Sequence, residues 1–240
     1  MVNRKITIGH LYPKQMNVYG DMGNIIALRY RLEQRGVRVE YVALDTLRDL
    51  KKHPVDILIG GGGQDSNQGL IQQDLLKYAA DLKAQCDDGL VCLMVCGMYQ
   101  LFGSRFITQD GVELLGAGVL DIETRAGDNR LIGNVVIDST WGKLVGFENH
   151  SGKTYRGTGV SALGVVQKGA GNNGEDKSEG AVVNNVFGTY MHGPLLAKNS
   201  GLTDELIVRA FTQQGEGAQI EPLDDQLEQL AASIAIKRPR

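Results

Sequence analysis

The sequence lacks any paired-cysteine spacing. Its three cysteines, Cys86, Cys92 and Cys96, are odd in number and no interval is C-x-x-C, which argues against a disulfide framework or a zinc site. No segment approaches the roughly 18 apolar residues of a membrane span, and Met1 to Lys5 runs into a first strand pattern without an apolar leader core. An excess of basic charge is missing too. The formal net charge of −3 disfavours nucleic acid and acidic lipid, whose non-specific partners are basic. Together these absences predict a chain of the reducing cytoplasm, with no nucleic-acid partner and no direct membrane insertion. Glycine, by contrast, is abundant: 32 of 240 residues, nearly double the roughly 7% background. Several glycines fall where an apolar run ends, which suggests tight strand-to-helix turns and backbone close to a ligand.

Strand and helix signals alternate through the first half. Ile6–Ile8 reads as a strand leading into a turn-rich segment, His10 to Gly23, and Asn24–Arg35 as a helix with Ile25, Leu28 and Leu32 on one face. Strands follow at Val37–Leu44 and Val55–Ile59, the second ending in Gly60–Gly63, then a helix over 69–85. Leu90–Val95 is an apolar strand, and Gly97–Phe102 looks like a helix start. Repeated βα units predict an α/β fold with a parallel sheet covered on both faces. Beyond Gly111, Val135–Ile137, Lys143–Phe147, Val160–Val166 and Ala181–Val186 read as added antiparallel strands, with Gly169–Gly180 as a long hairpin loop. Helices are expected at Asp204–Phe211 and Pro222–Ile236, followed by a frayed tail, Lys237–Arg240.

Cys96 stands where the apolar strand meets Gly97. A strand-to-helix elbow projects a side chain beyond the sheet edge, near a helix N-terminus that favours a thiolate, and aims backbone N–H groups at a developing oxyanion. The alternative is a buried core cysteine, the reading that suits Cys92. Among the candidate bases, His53 sits before Pro54 in a polar turn, and His10 could serve either surface or site. His192 ends a strand pattern and precedes Gly193-Pro194, which suits an imidazole at the C-terminal edge of a sheet.

The segment Val95-Cys96-Gly97-Met98-Tyr99-Gln100-Leu101 resembles the nucleophile elbow of class I glutamine amidotransferases, specifically the cobyric-acid-synthase-like branch. Gly188-Thr189-Tyr190-Met191-His192-Gly193 resembles that branch's histidine segment, and Gly146-Phe147-Glu148-Asn149-His150-Ser151-Gly152 a third. The opening Leu11-Tyr12-Pro13 and Met16-Asn17-Val18-Tyr19-Gly20-Asp21-Met22-Gly23-Asn24 narrows the likeness further. It is similar to amidotransferase subunits that work with a Mur-ligase-like ATP-dependent partner. The resemblance covers roughly residues 6–196 in consistent order.

That resemblance implies a flavodoxin-like, mostly parallel sheet flanked by helices with added antiparallel strands. It implies a glutamine amidotransferase domain over residues 1–200 with a helical extension, 201–240, packed on the same domain. Cys96 would be the nucleophile and His192 the general base and acid. Gly62 or Gly63, with Gly97, would offer N–H groups to the oxyanion. Arg130 would hold the substrate's α-carboxylate, with Gln100, Asn149 and His150 at the substrate; His150 is equally readable as a structural hydrogen-bonding residue. No metal or cofactor is expected in this chain, ATP and magnesium belonging to the partner ligase. Glutamine is the implied small-molecule substrate and a heterodimer the implied assembly. The lipid-linked acceptor, the D-glutamate α-carboxyl of a peptidoglycan precursor, would bring the complex near the inner face of the membrane.

Two departures stand out. The usual Gly-x-Cys-x-Gly elbow has Met94 and Met98 at its glycine positions, and Pro194 takes the glutamate position of His-x-Glu. The second predicts that the acid orienting His192 comes from elsewhere, such as the partner subunit. Nucleotide binding is set aside: Gly60–Gly63 before Gln64-Asp65 lacks the dinucleotide register, and five residues rather than four separate Gly146 from Gly152-Lys153-Thr154. A metal cluster of Asp21, Glu148 and His150 is set aside in favour of glutamine binding, fold polarity or subunit contact. The competing functions are a glutaminase for a cobyrinate-type or other amide ligase, a catalytically silent activating scaffold, and a cysteine hydrolase of the same architecture.

Overall fold

A computed structural model describes residues 4–63, 65–217 and 219–238; Gln64 and the last two residues of the expected frayed tail lie outside them. The elements are β1 (Lys5–Leu11), α1 (Met22–Gln34), β2 (Arg38–Leu44), α2 (Leu47–Lys52), β3 (Ile57–Gly60), α3 (Asp65–Asp87), β4 (Val91–Val95) and α4 (Gly97–Phe102). They continue with β5 (Arg105–Ile107), β6 (Glu113–Leu115), β7 (Ile122–Ser139), β8 (Gly142–Arg156), β9 (Gly164–Lys168), β10 (Ser178–Glu179), β11 (Ala181–Val183), β12 (Val186–Thr189), α5 (Ser200–Gln213) and α6 (Gln226–Lys237).

The first sheet has the order β2-β1-β3-β4-β12-β11. All its pairs are parallel except β11 with β12. Every residue of β3 and β4 is buried, as an uninterrupted apolar run in the middle of a two-sided sheet must be. Helix α1 buries Ile25, Leu28 and Leu32, and α5 buries Leu202, Leu206, Ile207, Ala210 and Phe211.

The second sheet runs β10-β9-β7-β5-β6, with β8 on the other side of β7. Strands β7 and β8 form a long hairpin with a register shift between Ala126 and Leu131. The two sheets are stitched where Phe147 and His192 exchange backbone bonds, at 3.1 and 2.8 Å. That stitch carries the β8 residues Glu148–Gly152 to the C-terminal edge of the parallel sheet.

Four elements differ from the sequence expectation. Ala181–Val186 is not one strand but the hairpin β11–β12, turned at Asn184, whose φ is +51°; asparagine tolerates that left-handed conformation. Val135–Ile137 and Lys143–Phe147 are parts of much longer strands, whose outer polar residues dilute the apolar signal. Helix α2 was not expected, because six residues offer only Leu47 and Leu50 for burial. Helix α6 starts at Gln226, after Asp225, so Pro222 lies in the preceding connection.

Candidate active site

Cys96 follows the last residue of β4 and precedes α4 with φ +53° and ψ −107°. A non-glycine residue held there stores backbone strain, which structures keep where a side chain must be aimed. The elbow is pinned by its own N–H, which donates to Thr189 O at 2.8 Å on the neighbouring β12. Met94 and Met98 are both fully buried, and the room for them is found across the sheet at Gly60. A Cβ there would meet Met94 Sδ at 2.8 Å and Met98 Cγ at 2.9 Å. The glycine missing from the elbow has its counterpart on β3. Gly188 serves Tyr99 in the same way, since a Cβ on it would lie 2.1 Å from the Tyr99 ring.

His192 comes off the end of β12, 3% exposed, with the Tyr19 ring tilted against it at 4.4 Å between centroids. Burial disfavours its charge, but Asp21 and Cys96 together outweigh this and raise its pKa to about 9. Asp21, at the start of α1, is fully buried. Its Oδ1 is 3.5 Å from His192 Nδ1, while its Oδ2 accepts the Gly62 N–H at 2.7 Å.

This bears on the expected outside acid. A carboxylate of the same chain supplies the negative charge beside the ring, although Nδ1 itself makes no hydrogen bond within the chain. It also corrects the oxyanion assignment, because the Gly62 N–H is taken by Asp21. Gly63 and Gly97, not Gly62, line the cavity at Cys96.

That cavity, about 50 Å³, is also lined by Tyr19, Gln100, Arg130, Asn149 and His150. Arg130 reaches its mouth, donating Nε to Asn149 Oδ1 at 2.6 Å and an Nη to the Tyr19 hydroxyl at 3.1 Å. Its hydrogen-bond partners among the described residues include no carboxylate. Gln100 donates to the Tyr190 hydroxyl at 3.0 Å, and that hydroxyl shares a 2.6 Å bond with Thr154. His150 stacks flat on Tyr190, 3.6 Å between centroids and 4° between planes. Its Nδ1 lies 2.7 Å from Gly152 O. Burial lowers its pKa to about 4, so at neutral pH it is an uncharged ring that donates from Nδ1. It is thus a structural residue that also lines the site.

Asp21, Glu148 and His150 do not converge. Glu148 instead accepts the N–H groups of Ala170 and Gly171 at 2.7 and 2.8 Å and holds the long loop after β9. Two further residues were missed in the sequence. Tyr19 touches both His192 and Arg130. Glu179 is fully buried behind the histidine segment, accepting Tyr190 N–H at 2.7 Å and the Thr189 hydroxyl. Burial raises the Glu179 pKa to about 7. Neither stands in a periodic pattern, and only their neighbours in space mark them. His10 is buried but faces Tyr41 across 3.3 Å, and His53 is exposed.

A cysteine on a strained elbow, facing a histidine across the C-terminal edge of a parallel sheet, defines the architecture of class I glutamine amidotransferases. A solved glutamine amidotransferase superposes with a TM-score of 0.59 at 16% identity, covering 85% of this chain and 98% of that one. The model of the CobB/CobQ-like glutamine amidotransferase domain matches residues 7–200. Lipid II isoglutaminyl synthase (glutamine-hydrolyzing) subunit GatD of Staphylococcus aureus is 42% identical over 98% of this chain and 96% of its own length. The Streptococcus pneumoniae subunit of the same name is 36% identical over 94% and 88%. A probable cobyric acid synthase of Methanosphaera stadtmanae is 31% identical over 80% of this chain, which spans only 39% of that protein. The chain belongs to the CobB/CobQ-like glutamine amidotransferase family and, within it, to the GatD subunits of lipid II isoglutaminyl synthase.

Proposed function

We propose that the chain hydrolyses glutamine to glutamate and passes the ammonia to a Mur-ligase-like subunit, which spends ATP to amidate the D-glutamate α-carboxyl of lipid II. The observation that carries this is the Cys96 elbow beside His192 in a cavity whose mouth holds Arg130. The two GatD relatives match nearly end to end, whereas the cobyric acid synthase is far longer than this chain. That difference favours the lipid II acceptor over a cobyrinate-type one.

Cys96 sulfur attacks the side-chain amide carbon of glutamine, forming the C–S bond while the oxygen charge rests on the Gly63 and Gly97 N–H groups. His192 protonates the nitrogen, the C–N bond breaks and ammonia leaves. The same ring then takes a proton from water, whose oxygen attacks the thioester and releases glutamate. Arg130 grips the α-carboxylate as a two-pronged donor, giving up Asn149 and Tyr19 to do so. Space for about a water or two is less than glutamine needs, so the mouth opens as substrate enters. Residues 201–240 are read as an extension of the same domain because α5 completes its core. No described helix is long and apolar enough to cross a membrane. The proposed setting is cytoplasmic, with the lipid-linked acceptor, ATP and magnesium all on the ligase side of a heterodimer.

The test is glutamate release by wild type and Cys96→Ser, with and without the co-purified ligase. Release that vanishes in the variant is expected; no release from wild type in either state would favour the silent scaffold. Full turnover by the free subunit would remove any need for an acid from the partner.

A further inference from the structure

Cys96 and His192 line different cavities. Cys96 faces the small one at Arg130, while His192 borders a larger one of about 310 Å³, walled by Phe147 and by Ala231, Ile234 and Ala235 of α6, with Lys198 at its edge. Helix α6 itself is anomalous: none of its residues is buried. Leu227, Leu230 and Ile234 are 77%, 55% and 47% exposed. With Ala231 and Ala235 they follow the i, i+3, i+4, i+7, i+8 spacing of a stripe meant for burial. Polar contacts at its ends hold the helix: Arg31 to Asp225 at 2.6 Å near its start, and Asn134 to the Arg238 carbonyl at 2.7 Å past its end. An apolar stripe left open in this way marks an interaction surface.

We propose that the ammonia-consuming ligase subunit docks on the α6 stripe, and that the cavity beneath it is the way ammonia leaves His192. This rests on the glutaminase reading. Two observations select the occupant. The first is continuity: ammonia is released at His192, and the cavity bordered by His192 opens along the stripe, so whatever covers the stripe receives what emerges. The second is charge. Lys198 and Arg238 both line this cavity. Lys198 donates only to the Gly193 and Pro194 carbonyls, and neither cation has a carboxylate partner among the described residues. The occupant is therefore a surface carrying acidic groups beside apolar ones. A second copy of this chain, docked on the same face by twofold symmetry, would set these cations against their own counterparts. The same two cations repel ammonium, so nitrogen passes as neutral ammonia.

The test uses the complex of this subunit with its ligase. Leu227→Asp, at an exposed position, is expected to weaken association roughly tenfold or more with the melting temperature of the separate subunit unchanged. Ala235→Phe, which fills the cavity, is expected to leave glutamate release and ammonium-chloride-driven amidation at wild-type levels. Amide formed per glutamate released from glutamine should fall severalfold. Wild-type association of Leu227→Asp overturns the docking site, and an unchanged ratio in Ala235→Phe overturns the exit. Loss of self-association alone would make a second copy the occupant and overturn the proposal. Failure of the glutaminase reading would look different, since the wild-type complex would release no glutamate.

Discussion

At the scale of single residues, the site depends on a charge no sequence pattern announces. Asp21 and His192 are 171 positions apart, and Asp21 sits in a turn-rich segment with no periodicity to mark it. Cys96 was easier to find, because an apolar run that stops at Cys-Gly is a local signal. Asp21 does two things at once, tethering the Gly62 N–H and placing a carboxylate beside the ring. The pKa of His192, raised from 6.5 to about 9, gives a signed consequence. The stabilisation from its charge is complete below about pH 6.5 and is lost as the pH rises through about 9. The proton His192 gives to the leaving nitrogen is lost over the same upper range, so kcat/KM for glutamate release should fall on an alkaline limb near pH 9. Asp21→Asn keeps the shape, removes the charge, and should move that limb to lower pH while reducing kcat roughly tenfold or more. A limb that stays in place in the Asn variant would reduce Asp21 to a tether for Gly62.

At the scale of elements, the parallel half of the fold was legible because β3 and β4 are short, wholly apolar and followed by glycine. The antiparallel half was less so. Strands β7 and β8 alternate between buried and solvated faces over long stretches, and the turn between β11 and β12 rests on Asn184 rather than a glycine. The bulky elbow residues are explained only by packing between strands. Met94 and Met98 fit because Gly60 on β3 has no side chain, a relation that reading β4 alone cannot reveal. Gly60→Ala should therefore overpack the elbow and cost about 1–3 kcal/mol, together with part of the glutaminase activity. Removing the opposing bulk in Gly60→Ala/Met98→Gly should restore activity, less the roughly 1 kcal/mol that glycine costs in a helix. Denaturant melts and glutamate release on the four proteins of the cycle would measure the coupling. Strict additivity would mean that the two positions do not share the space.

At the scale of the whole molecule, the amidotransferase core and the C-terminal helices are joined by one buried cation. Arg31 of α1, 2% exposed, grips both oxygens of Asp204 on α5 at 2.7 and 2.6 Å and Asp225 ahead of α6 at 2.6 Å. Asp204 keeps Arg35 as a second partner at 2.8 Å, but no second partner of that kind is seen for Asp225. Removing Arg31 should thus act unequally, leaving α5 in the core through its apolar face and freeing α6, which buries no residue of its own. Arg31→Met keeps the volume and should cost about 3 kcal/mol, the lower range for breaking a buried pair from one side. Protease cleavage should then appear in the connection before α6, where the wild type resists. Cys96, His192 and Arg130 touch neither Arg31 nor α6, so glutamate release should hold within about twofold, a surface-scale change. If the ligase seats on α6, glutamine-driven amidation should fall in this variant while ammonium-driven amidation survives. A loss of glutamate release equal to the loss of amidation would place Arg31 in the support of the active site itself and separate α6 from the transfer of ammonia.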